Sequence, residues 1–117
     1  LSGSAFASAM GMKRLVEIIR KHPYDEGFPI PKIVLVSPPH CVPTEHADLS
    51  PMFAHGLKES REFAGHYRRI ATELECGFFD ASTVATASSL DGVHLDAANT
   101  RAIGTALVPI VRDVLGI

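Results

Sequence analysis

Pro31-Lys32-Ile33-Val34-Leu35-Val36-Ser37-Pro38-Pro39 is the stretch on which the fold turns. Ile33 to Val36 is an unbroken apolar run, mostly β-branched. A strand with one wet face alternates apolar and polar residues, so a run without alternation predicts a strand buried on both faces, as in a parallel sheet covered by helices on each side. Ser37-Pro38-Pro39 ends the strand, because proline brings no N–H to a ladder. In an open α/β sheet the ligand crevice lies beyond the carboxyl ends of the strands. Pro38 and Pro39 are therefore candidate pocket-wall residues, with a plain proline strand stop as the alternative.

On the N-terminal side, Met12, Leu15, Val16 and Ile19 recur at helical spacing and predict a helix from about Phe6 to Lys21, stopped by Pro23. Tyr24 to Pro31 reads as a surface turn. On the other side, His40 to Pro51 reads as an irregular surface loop able to form part of a substrate lip. Phe53, Leu57, Ser60, Ala64, Tyr67, Ala71 and Leu74 then mark one face of a single long helix, and Lys58, Glu59, Glu62, Arg68, Arg69 and Glu73 its solvated face. Gly77-Phe78-Phe79-Asp80 supplies a second strand, less apolar and nearer the sheet edge. After a loop from Ala81 to Leu95 comes a last helix with the stripe Ile103, Leu107, Ile110, Val111 and Val114. Pro109 should kink that helix or free a carbonyl. The order helix-strand-helix-strand-loop-helix predicts an α/β fold, its strands made parallel by the helical crossover between them.

The loop before the last helix carries Leu90-Asp91-Gly92-Val93-His94-Leu95-Asp96. An aspartate that accepts a hydrogen bond from Nδ1–H of a histidine fixes the ring's tautomer, leaves Nε2 free to take a proton, and stabilises the imidazolium that results. Three residues across a turn is a workable reach, and Gly92 lets the backbone bend. Asp91 and His94 are thus the candidate acid and base. The alternative is an Asx-type turn at Asp91 with His94 a partly exposed loop residue. Asp96 directly precedes the helical pattern and is assigned as its N-cap rather than as a second partner for the ring. Asp80, at a strand end, is not assigned a catalytic role.

Strand, polar loop, Asp91-Gly-Val-His94-Leu-Asp96 and closing amphipathic helix together resemble the final block of the SGNH (GDSL-type) hydrolases, nearest to the bacterial arylesterase and acyltransferase branch. Arg14-Leu-Val-Glu-Ile-Ile-Arg20 and residues 31–39 also look like the helix and strand that precede that block. The resemblance implies a flavodoxin-like three-layer α/β/α fold of which residues 1–117 are the C-terminal half of one domain. It gives Asp91 and His94 the acid and base of a Ser-His-Asp triad. Serines stand at positions 2, 4, 8, 37, 50, 60, 82, 88 and 89, none in a G-D-S context, so no nucleophile is assigned in this chain. The implied activity is a serine esterase or acyltransferase acting on small acyl esters, without metal or organic cofactor. The implied partners are the ester and the N-terminal half bearing the serine, and members of this branch are often homo-oligomers. Val93 and Leu95 flank the histidine and join Pro38 and Pro39 as pocket candidates, with local packing as the alternative.

Rival readings remain. An inert α/β piece could serve as an assembly or interaction module through an open sheet edge. A flavodoxin-like nucleotide domain shares the alternating pattern, but no Gly-rich phosphate loop follows either strand.

Composition narrows the classes further. With 117 residues, 46% hydrophobic and 21% charged, the chain is composed like a globular domain. A net charge of −2 and scattered basic residues argue against a nucleic-acid surface. No apolar run approaches the roughly 20 residues that span a bilayer, and the first residues do not read as a signal peptide. Cys41 and Cys76 have no C-x-x-C spacing and are expected as free thiols in a reducing, cytoplasmic setting. His40, Cys41, His46, His55 and His66 form no recognised metal-ligand spacing, and no metal site is predicted.

Overall fold

The computed structural model describes residues 4–45 and 50–117, the side chains of 50–53 excepted. His46 and the side chain of Phe53 therefore lie outside the described residues. The elements are α1 (Ala5–Lys21), β1 (Val34–Ser37), α2 (Ser50–Ser60), α3 (Phe63–Glu73), β2 (Gly77–Asp80), a 3₁₀ turn (Ala81–Thr83) and α4 (Ala97–Leu115). The helix-strand alternation read from the sequence is present, with β1 and β2 parallel and Leu35 opposite Phe78.

Successive strand residues point to opposite faces, and this sorts the helices. Leu35 and Phe78 face α1 and α3, where Ala9, Val16, Leu35, Tyr67, Ile70 and Ala71 form the core. On the other face a Cβ added to Gly77 would lie 3.1 Å from both Val34 Cγ2 and Val114 Cγ2, so α4 crosses there. Glycine at 77 is what lets helix and strand approach so closely. Helices on both sides of a parallel pair make the α/β/α layering.

α1 starts where Ser4 Oγ accepts from Ala7 N–H at 3.0 Å, satisfying one of the helix's free donors. Its inward face differs from the predicted stripe. Ala5, Ala9 and Val16 are buried, whereas Leu15 and Ile19 are exposed. The small alanines allow α3 close, and the two helices are tied by Ser8 Oγ to Tyr67 Oη at 2.7 Å and by Lys13 to Glu73 at 3.0 Å. Arg20 Nη1 donates to the Leu74 carbonyl, fastening the other end of α1 to the turn before β2.

Several expectations need correction. The strand runs one residue later than Ile33–Val36, and only Leu35 and Ser37 are fully buried, because α4 covers the other face only partly. The single long helix is two helices. Ser60 Oγ donates to the Leu57 carbonyl and accepts from Cys41 N–H, while Arg61 and Glu62 N–H bond back only three residues, tightening the last turn of α2. Ser60, counted as one point of an apolar face, is thus the buried polar hinge between them. The loop predicted to reach Pro51 ends earlier, because α2 begins at Ser50 and Pro51 sits in its first turn, where its missing N–H costs nothing. At Pro109 the expectation holds in its second form: α4 continues through the proline and the Thr105 carbonyl is left without the bond that residue 109 would give. No residue of α4 is fully buried, and Val111 of its predicted stripe is exposed.

Candidate active site

β2 ends at Asp80, whose Oδ1 accepts from Ser82 N–H at 2.9 Å and Ser82 Oγ at 2.6 Å, capping the 3₁₀ turn. From there the chain runs to Ser88, which closes a compact loop: Gly92 N–H donates to Ser88 O at 2.8 Å and Ser88 N–H to His94 O at 2.7 Å. Asp91 lies inside this loop.

Asp91 makes both of the contacts its sequence allowed, the turn and the approach to the ring. Oδ1 accepts from Val93 N–H and from His94 N–H, each at 2.9 Å, which makes the Asx-type turn. Oδ2 lies 2.5 Å from His94 Nδ1. With an ionised carboxylate opposite it, Nδ1 carries the proton, and Nε2 presents its lone pair. These contacts hold the Asp91 carboxyl far below its ordinary value of 3.8, the backbone N–H of His94 acting most, then that of Val93, then the ring. The turn that shapes the loop therefore also keeps the aspartate charged for the histidine. The His94 side chain is 83% exposed and that of Asp91 35%, so Nε2 faces open space.

Asp96 caps α4 as predicted. Its Oδ1 accepts from Asn99 N–H at 2.8 Å and Asn99 Nδ2 at 2.9 Å, and these bonds lower its carboxyl pKa. Asn99 Oδ1 in turn accepts from Thr86 N–H at 2.9 Å, tying the helix end to the start of the loop. Asn99 was not singled out from sequence, although its i+3 spacing from a helix cap was the available signal.

The remaining predicted positions are scattered. Pro38 is exposed and Pro39 half-buried where the chain leaves β1; Val93 is exposed and Leu95 half-buried beside His94. Val42 N–H donates to Gly92 O at 2.9 Å, so the segments leaving the two strands do meet. Cys41 and Cys76 are free thiols. Among the described residues no group of three or more His, Cys, Asp or Glu is placed to hold a metal ion, and no helix is long and apolar enough to cross a membrane.

No family model and no curated protein matches the chain. Solved structures do match it. A carbohydrate acetylesterase family member from Sinorhizobium meliloti is 45% identical with a TM-score of 0.93, over 99% of this chain and 55% of that one. This is the C-terminal part of an SGNH hydrolase fold. A structure from Agrobacterium tumefaciens, provisionally described as an arylesterase, is 42% identical with a TM-score of 0.88, over 97% of this chain and 53% of that one. An aryl esterase of M. smegmatis is 32% identical with a TM-score of 0.86, over 97% of this chain and 54% of that one. The chain thus spans about half the length of these three solved structures, which are named as esterases.

Proposed function

We propose that this chain contributes the acid and base of a serine esterase acting on small acyl esters, the serine and the oxyanion donors lying outside it. The observation that carries this reading is the Asp91–His94 pair, with Oδ2 at 2.5 Å from Nδ1 and the ring's other nitrogen exposed. In this scheme the serine attacks the ester carbonyl, Nε2 of His94 takes its proton and later returns it to the leaving alcohol, and Asp91 stabilises the imidazolium. Water, or a second alcohol in acyl transfer, resolves the acyl-enzyme. A cavity of about 280 Å³, whose lining includes Ser8, Cys41, His55, Glu59 and Phe63 but no residue of the loop that carries His94, has the volume of a short acyl or alkoxy group.

The N-terminal half of the same domain is the proposed partner. Leu15, Ile18 and Ile19 on α1 and Val108, Val111 and Leu115 on α4 are large apolar residues left exposed on both sides of the sheet. A free-standing domain rarely leaves so much apolar surface in two places. The chain covers 55% of the Sinorhizobium meliloti structure, which supports a second half of similar size as what covers these faces. Residues 1–117 are then the C-terminal half of a single domain, and the two free thiols fit a reducing compartment such as the cytoplasm.

A fusion tests the reading. The portion of the Sinorhizobium meliloti acetylesterase that this chain does not match is placed ahead of Leu1, and p-nitrophenyl acetate turnover is measured. The expected result is turnover in the fusion, none above background in this chain alone, and at least ~10³-fold loss in the fusion carrying His94→Ala. Full turnover in that variant sinks the assignment. A fusion that folds but is inactive, together with concentration-dependent self-association of the chain alone, favours the assembly-module reading instead.

A further inference from the structure

The Asp91 carboxylate binds the His94 ring and the N–H groups of Val93 and His94, all within its own loop, so the place of Nε2 in space is set by the backbone of that loop. That loop is not free-standing. Val42 N–H donates to Gly92 O at 2.9 Å and Glu45 N–H to Ser89 O at 2.7 Å. Thr44 Oγ1 donates to Leu90 O at 3.1 Å, and Ser89 Oγ to Glu45 Oε1 at 2.9 Å. Each step forward from Val42 to Thr44 to Glu45 is matched by an equal step back from Gly92 to Leu90 to Ser89. That is antiparallel register, kept by two segments that form no regular strand.

Gly92 is the closest point of this contact. It is buried, has a φ of 78°, and a Cβ built on it would lie 2.2 Å from the Val42 carbonyl oxygen. A side chain is excluded there twice, by the left-handed backbone and by the neighbouring carbonyl. The same residue is the one between Asp91 and Val93, and its N–H closes the loop on Ser88, whose own N–H holds the His94 carbonyl. A chain of bonds therefore runs from residues 42–45 through Gly92 and Ser88 to the backbone of His94.

We infer that Val42–Glu45, the segment leaving β1, is a positioning element for the acid–base pair, with Gly92 and Thr44 as its positioning residues. This rests on the reading of Asp91 and His94 as that pair. An exposed imidazole on an untethered loop would present Nε2 over a wide arc. Pinning the loop to the end of the neighbouring strand holds Nε2 over one point of the rim, where the nucleophile must come. The bonds from the segment go to the carbonyls of Gly92, Leu90 and Ser89 and to the Ser89 hydroxyl, so it acts through the loop's geometry and not on the protons.

The experiment uses this chain with ¹⁵N-labelled histidine, reading the Nδ1–H signal of His94 and its exchange with water, alongside the thermal melt. Thr44→Val removes the donor to Leu90 O, and Thr44→Ser keeps it. With the melt little changed, Thr44→Val should speed exchange of the Nδ1 proton about fivefold, the factor that one ordinary hydrogen bond supplies. Thr44→Ser should keep the parent's rate, and Gly92→Ala should exceed the valine variant. Parent-like exchange in both Thr44→Val and Gly92→Ala overturns the proposal; if Gly92→Ala fails to fold, the threonine pair decides alone. In the esterase fusion, Gly92→Ala should lower kcat on the order of 10²-fold with KM within about threefold. A raised KM with unchanged kcat would overturn the positioning role. An inactive fusion would count against the esterase reading, while the exchange measurement on the chain still decides this one.

Discussion

Replacing Asp91 by Asn changes one atom of the site. The carboxylate takes bonds on both oxygens: Oδ1 from the N–H groups of Val93 and His94 at 2.9 Å each, and Oδ2 from the ring at 2.5 Å. The amide oxygen of asparagine can keep both backbone bonds, so the turn should persist and the melting temperature should move by no more than about 3 °C. The amide NH₂ then faces Nδ1, where two donors cannot meet. The ring must present its lone pair there, and the proton moves to Nε2. A ring protonated at Nε2 cannot accept the nucleophile's proton. With the turn intact and the tautomer reversed, turnover in the esterase fusion should fall on the order of 10⁴-fold, as for wrong-tautomer variants of other triads. Long-range ¹H–¹⁵N spectra of the ring, recorded where it is neutral, read the tautomer directly. If Asp91→Asn keeps the proton on Nδ1, or retains more than about a tenth of the turnover, the argument from the 2.5 Å contact is wrong.

Acid should release the pair later than an ordinary carboxylate would suggest. Asp91 has a folded-state pKa below its ordinary 3.8, chiefly through the His94 backbone N–H, so its contribution is complete above the unfolded value and lost only as pH falls through the folded one. A ¹³C titration of the Asp91 carboxyl should show no midpoint down to the ordinary value, and one at or above 3.8 refutes the geometry. Ser60→Ala removes the acceptor of Cys41 N–H at 2.9 Å and should cost about 1–3 kcal/mol, read as a lower melting temperature; an unchanged melt would mean that water replaces the hydroxyl. Leu35→Ala empties the centre of the α1–α3–β1 core, where Leu35 is 2% exposed, and should cost about 2–5 kcal/mol by urea titration. A loss under about 1 kcal/mol would mean that the core collapses into the space.

The features that the sequence by itself determined are those carried by neighbours along the chain. The reach from Asp91 to His94, the Asx-type turn at the same residue and the cap from Asp96 to Asn99 are all three-residue interactions, closed by local backbone geometry whatever the rest of the protein does. The apolar run through Leu35 likewise needs no partner to be recognised as a strand, and helix-strand alternation then implies the parallel pairing that is present. What only the tertiary structure decided depends on groups far apart in sequence. Helical periodicity puts Val16 and Leu15 on one broad apolar face, but α3 covers only the side where Ala5 and Ala9 let it approach, leaving Leu15 exposed. A serine at helical spacing reads as part of a continuous face, and Ser60 ends α2 because its hydroxyl meets an N–H 19 residues away. The antiparallel contact of residues 42–45 with 89–92 has no sequence pattern at all, since backbone groups make most of it and every residue carries them. Local chemistry thus wrote the Asp91–His94 contact into the sequence, and long-range packing decided which backbone groups meet the loop that carries it.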